Sequence, residues 1–135
     1  MSAKKQIYAE GIGRRKTATA RVRLTPSTKA EVVINGKDLT AYFPHLALQN
    51  DVNAVFNTKD LGIENYHVEA KVQGGGLSAQ AEAIRLGIAR ALVKESAPRR
   101  GVLKKEGYLK RDQRSVERKK FGLRKARKRP AWSKR

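Results

Sequence analysis

The chain contains no cysteine, which rules out disulfide staples and thiolate-held metals and fits a reducing compartment. Histidine is nearly as scarce. His45 and His67 are the only two, no motif links them, and without cysteine they make no familiar zinc pattern. His67 falls on the polar face of an expected strand and His45 follows Pro44 in a loop, so each reads as a surface or packing residue. Acids are few, twelve against 31 Lys or Arg. Those before Pro98 are scattered, without the convergent spacing of metal-dependent nuclease or hydrolase sites. The expectation is a protein with no catalytic residue, no metal and no cofactor. No apolar run approaches the roughly 18–20 residues that a helix needs to span a bilayer. The opening MSAKKQIYAEGIG lacks an apolar h-region and the Arg/Ser-rich character of a transit peptide. A cytoplasmic protein is expected.

What the chain does have is positive charge, unevenly placed. The 38 residues from Pro98 to Arg135 hold 17 Lys or Arg and only three acids (Glu106, Asp112, Glu117), fourteen of the nineteen net positive charges. So dense a run repels itself unless a polyanion neutralises it. A membrane-surface helix would set its apolar residues on one face. Val102, Leu103, Leu109, Val116, Phe121, Leu123 and Trp132 form no such stripe, so nucleic acid is the expected partner and a membrane is not.

Periodicity gives a coarse map. Residues 6–12 are a short expected strand, followed by a cationic loop, Gly13-Arg14-Arg15-Lys16. Residues 17–25 alternate, with Ala18, Ala20, Val22 and Leu24 on one face and Arg21 and Arg23 on the other. Residues 30–34 form a third strand closed by Asn35-Gly36, a strong turn dipeptide. Asp38 is placed to cap a short helix over 39–43, and a second helix is expected over 46–57. Residues 63–73 alternate again. Residues 77–95 form the clearest helix, with Leu77, Ala81, Ile84, Ile88 and Leu92 as its apolar stripe and Gln80 away from it. Beyond Pro98 the pattern disappears, apart from a short helix expected over 112–121 with Asp112 as its cap. The division expected is a globular unit over residues 1–97 and an extended basic tail over 98–135. The class is α+β, with helices on one face of a small mixed sheet.

Gly74-Gly75-Gly76 has two readings, a phosphate cradle at a helix N-terminus or a tight strand-to-helix turn. No Gly-Lys-Ser/Thr follows, and the third glycine of a dinucleotide loop is missing, so the turn is the expected role. Contact with an RNA phosphate is compatible with both. The basic segments point more firmly to RNA. Arg14, Arg15, Lys16, Arg21 and Arg23 are expected to make a cationic loop running onto a strand face. In the tail the candidates are Arg114, Arg118, Lys119, Lys120, Arg124, Lys125, Arg127, Lys128 and Arg129. Tyr108, Phe121 and Trp132 interleave with the charge, which suits stacking on bases or riboses.

Three stretches resemble one family, the ninth protein of the small ribosomal subunit in its bacterial-type branch. They are GRRKTATARV (13–22), GGGLSAQAEAIRLGIARAL (74–92) and RDQRSVERKKFGLRKARKRPAWSKR (111–135). In the second, Gln80, Ala83, Gly87, Ala89 and Arg90 match the family's spacing after the triple glycine; in the third, Ser-Lys-Arg is the family's ending. Lys110, Ala131 and Trp132 depart from the usual residues, though Trp132 keeps an aromatic. The resemblance implies a ribosomal protein S5 domain 2-like fold, a four-stranded sheet backed by helices with a left-handed crossover. It implies a structural protein of the small subunit's head, bound to rRNA beside neighbouring head proteins, with Phe121 as a stacking point on rRNA. It also implies that Ser133, Lys134 and Arg135 approach the anticodon stem-loop of the peptidyl-site tRNA. Two other classes stay open on residues alone, a DNA-compacting protein and an RNA-processing enzyme. Sedimentation with ribosomes at moderate and high salt, and an activity assay on structured RNA, separate them from the first.

Overall fold

Alternating burial along three strands builds the floor of the molecule. The computed structural model describes residues 8–58 and 65–132. Strands β1 (Ala9–Arg15), β2 (Ala18–Pro26), β3 (Glu31–Ile34), β4 (Lys37–Asp38) and β5 (Tyr66–Gln73) form one sheet in the order β1-β2-β5-β3-β4. All pairings are antiparallel except β3 with β5. Ala18, Ala20, Val22 and Leu24 of β2 and Tyr66, Val68, Ala70 and Val72 of β5 are buried on the inward face, as their alternation predicts. Strand β4 is two residues long and was not expected. Asn35 and Gly36 have φ of 50° and 81°, the positive values of a type I′ hairpin, and they fold Lys37–Asp38 back on β3. Asp38 therefore belongs to a strand and makes no side-chain cap on the helix that follows.

The helices α1 (Leu39–Tyr42), α2 (Leu46–Asn53), α3 (Leu77–Glu95) and α4 (Arg99–Lys105) are joined to the inward side chains of the sheet in one core cluster, with Phe43, Val52, Ile84, Ile88, Leu92 and Leu103 as its large members. The second helix stops at Asn53, short of residue 57, and turns follow. Helix α3 lies against β1 more closely than its apolar stripe suggests. A β-carbon on Gly13 would overlap the Ala83 carbonyl oxygen and sit 2.6 Å from the Gly87 nitrogen, and one on Gly11 would sit 2.7 Å from the Ala91 nitrogen. Small residues four apart on the helix and two apart on the strand thus let backbone meet backbone.

Gln80 is buried, although the stripe leaves it outside. Its amide donates to the Gly74 carbonyl at 3.0 Å and its oxygen accepts from the Tyr42 hydroxyl at 2.7 Å. A buried carboxamide is tolerated only when satisfied in this way. Gly74 and Gly75 have φ of 81° and 63° and lie against Thr17 and Ala18, so the triple glycine is a tight turn pinned by Gln80.

Apolar packing continues past Pro98. Residues 99–105 form α4, Leu103 is fully buried, and Tyr108 and Leu109 pack on the core, with the Arg85 guanidinium 5.6 Å over the Tyr108 ring. Charge density at Arg99, Arg100, Lys104 and Lys105 obscures the two apolar residues, Val102 and Leu103, that hold this helix down. Leu103→Ala is expected to cost about 2–5 kcal/mol by opening a cavity in the core. A denaturant midpoint within error of the parent would show that α4 does not stabilise the unit. The helix expected over 112–121 is absent: no helix lies among residues 111–120. Asp112 accepts the Arg114 backbone N–H at 3.0 Å, two residues on, which closes a local turn that no helix follows.

Candidate nucleic-acid interface

Strand β1 is an edge strand, and its hairpin with β2 turns at Lys16 and Thr17, Lys16 having φ of 51°. The loop read from Gly13 to Lys16 is thus mostly strand, and strand alternation divides its cations. Arg14 and Lys16 face solvent, while Arg15 turns inward and is buried. Arg15 Nε meets Glu82 of α3 at 2.5 Å, its Nη2 lies 3.4 Å from Asp112, and its Nη1 donates to the Arg114 carbonyl. Two carboxylates and a backbone carbonyl thus surround its guanidinium.

Arg21 and Arg23 lie on the outward sheet face, opposite the helices. Both reach Glu10 of β1, at 2.6 and 3.9 Å, and the Arg23 guanidinium stands 4.8 Å over the Tyr8 ring. The register sets Arg21 beside Lys71 and Arg23 beside Glu69. This face is therefore mixed, most basic towards the hairpin and more acidic at the far end.

Two cations missed from the sequence join the edge. Arg90 of α3 donates to the Ile12 carbonyl at 2.7 Å, across the open side of β1. With Arg14 and Arg111 it lines a cleft of about 540 Å³. A second cleft of about 450 Å³ separates Lys16 and Thr17 from Arg111, Arg114 and Val116. Three separate chain segments, hairpin, long helix and tail root, thus converge on one cationic edge. Arg90 was singled out only by the family's spacing after the triple glycine, and nothing local said that it would bridge to β1.

The tail is exposed along its length, with local order supplied by its few acids. The Arg114 guanidinium, 84% exposed, pairs with Asp112 at 2.9 Å and holds that carboxyl well below the usual carboxylate range. Glu117 takes both Lys120 and Arg127, the latter at 2.9 Å. The Arg124 N–H donates to the Lys128 carbonyl at 2.8 Å, and Gly122 has φ of 75°, so residues 121–128 curl into a turn. Arg118, Lys119, Arg124, Lys125, Lys128 and Arg129 are exposed, and none has a carboxylate partner among the described residues. The Phe121 ring is 99% exposed and Trp132 85% exposed. An aromatic left so bare beside cations suits stacking on a base. Ser133, Lys134 and Arg135 lie outside the described residues. Among the described residues no group of three or more His, Asp or Glu gathers as a metal would need.

The chain matches a family of structural, non-enzymatic ribosomal proteins. A family profile described as "Ribosomal protein S9/S16" matches residues 13–135, and the chain belongs to that family. It is similar to the protein named small ribosomal subunit protein uS9 of Synechococcus sp. (strain JA-3-3Ab), 51% identical over 99% of this chain and 96% of that protein. The protein of the same name from Gloeothece citriformis is 52% identical over 93% of this chain and 90% of its own. That of Renibacterium salmoninarum is 50% identical over 96% of this chain and 77% of its own. The α+β fold of a ribosomal protein S5 domain 2-like type agrees with the five-stranded mixed sheet and its helices.

Proposed function

We propose that this chain is a structural constituent of the small ribosomal subunit head, where it binds small-subunit rRNA beside neighbouring head proteins and supports translation. The folded unit is the anchor and in this reading runs to Leu109, beyond residue 97, because Leu103, Tyr108 and Leu109 pack on its core. The arm from Lys110 onward lies along rRNA phosphates. Arg118, Lys119, Lys120, Arg124, Lys125, Arg127, Lys128 and Arg129 neutralise them, and Phe121 stacks. Arg14 and Lys16 add contacts at the hairpin. Ser133, Lys134 and Arg135 reach the anticodon stem-loop of the peptidyl-site tRNA.

One observation carries the reading: fourteen of nineteen net charges sit in a segment with an exposed Phe121 and no helix or strand among its described residues past Lys105. Such a segment gains order by meeting a polyanion. Removal of residues 133–135 is expected to leave subunit assembly intact and to weaken peptidyl-site tRNA binding by about tenfold, the equivalent of about 1.4 kcal/mol. Filter binding of tRNA to purified small subunits measures it. Unchanged tRNA affinity would remove the tip from the tRNA site while leaving the rRNA anchor untouched.

A further inference from the structure

We propose that Arg15 is a latch that seats the root of the basic arm on the folded unit and so sets where the arm departs. This rests on the reading that the arm binds RNA, and it assigns Arg15 a positioning role in place of a phosphate contact. Its guanidinium has donors on three nitrogens, and each nitrogen meets a different acceptor. Nε meets Glu82 on α3, Nη2 faces Asp112, and Nη1 holds the Arg114 carbonyl. The side chain is 10% exposed, so a phosphate would have to displace two carboxylates and a carbonyl to reach it.

Asp112 is tied in two directions. It faces Arg15 and also receives the backbone N–H of Arg114 at 3.0 Å and the Arg114 guanidinium at 2.9 Å. Arg15, Arg114, Glu82 and Asp112 together make a neutral group of two cations and two carboxylates. That composition matters in a chain carrying +19, where a cationic arm and a cationic unit repel each other. Of the three acids after Pro98, Asp112 is used in this seat and Glu117 in the turn further on.

The latch holds the backbone as far as Arg114. The free arm therefore begins at Ser115, five residues later than Lys110, which removes about 17 Å of extended reach. A shorter, directed arm has a higher effective concentration along one groove and loses less freedom on binding. Lys16 and Arg114 then face each other across the cleft by the hairpin turn, so the seat also assembles cations from separate segments.

Limited trypsin digestion of the full chain tests the latch directly, because the carbonyl that Arg15 holds is the one trypsin must attack after Arg114. Asp112→Ala is expected to speed cleavage after Arg114 by about tenfold, with cleavage after Lys125 unchanged as the standard within the same chain. Arg15→Ala should do the same. Asp112→Ala is included because it leaves the Arg15–Glu82 pair in place, and its melting temperature should match the parent. Equal rates after Arg114 in parent and Asp112→Ala would overturn the proposal.

Salt titration of binding to small-subunit rRNA gives the second readout. Arg15→Ala should weaken affinity a few-fold without changing the slope of log K against log salt. Arg118→Ala, which removes a phosphate contact, should flatten that slope by about 0.7–0.9. A flattened slope in Arg15→Ala would make it a phosphate ligand and overturn the latch. If no variant and no parent bound rRNA, the proposed function would fail while the trypsin result still judged the latch.

Discussion

Gly13→Ala should prevent the unit from folding stably, with a loss of about 4 kcal/mol against total stabilities of roughly 5–15 kcal/mol for such domains. The added methyl would meet backbone, not a flexible side chain: the Ala83 carbonyl oxygen and the Gly87 nitrogen at 2.6 Å. Neither atom can move without lifting α3 from β1 or breaking the helix ladder, which is why the cost exceeds the usual overpacking range of about 1–3 kcal/mol. Two controls isolate the steric cause. Gly36→Ala has open space around it but φ of 81°, and should cost about 1 kcal/mol from backbone strain alone. Gly101→Ala in α4 has open space and no positive φ, and should be neutral or stabilise by about 0.4–1 kcal/mol. Denaturant midpoints rank the three. A Gly13→Ala protein melting with the Gly101→Ala protein would show that α3 and β1 do not meet so closely.

That contact also shows where sequence reading reached and where it stopped. Period-two alternation located β2 and β5 because each buries one face only, and period 3.6 located α3. Glycines in β1 carry no periodic signal, so Gly13 read as the start of a loop although it lies within a strand. Its purpose is visible only once Ala83 and Gly87, seventy residues on, are laid across it. The inward turn of Arg15 was hidden for the same reason. Three cations in a row look alike in sequence, but strand alternation sends the middle one inward, where Glu82 and Asp112 await it. The tail was legible as a polycation from charge alone. The exit of the chain past Pro98 was not, since one buried leucine among arginines and lysines leaves no pattern. Gln80 was misplaced because its burial depends on Tyr42 and Gly74, which no helical wheel includes.

Affinity for small-subunit rRNA should fall roughly 10⁴–10⁵-fold between 50 and 200 mM salt, and the arm should account for most of that fall. Seven described cations from Arg111 onward have no carboxylate partner among the described residues: Arg111, Arg118, Lys119, Arg124, Lys125, Lys128 and Arg129. If each releases one counterion, the arm contributes about −5 to the slope of log K against log salt on a single-strand scale and about −6 on a duplex scale. Lys120 and Arg127 are held back by Glu117, so they contribute only when a phosphate displaces that carboxylate. This makes Glu117 a sensitive probe. Glu117→Gln frees both cations and should steepen the slope by up to about 2. The same change should tighten binding at low salt, even though it removes two ion pairs from the free protein. Deletion of residues 111–135 should leave the edge cations Arg14, Lys16 and Arg90, a slope near −2 to −3, and affinity lower by about 10³ at 100 mM salt. Fluorescence anisotropy with labelled rRNA at several salt concentrations gives every slope. A deletion protein that kept the parent's slope would move the phosphate contacts off the arm and onto the folded unit.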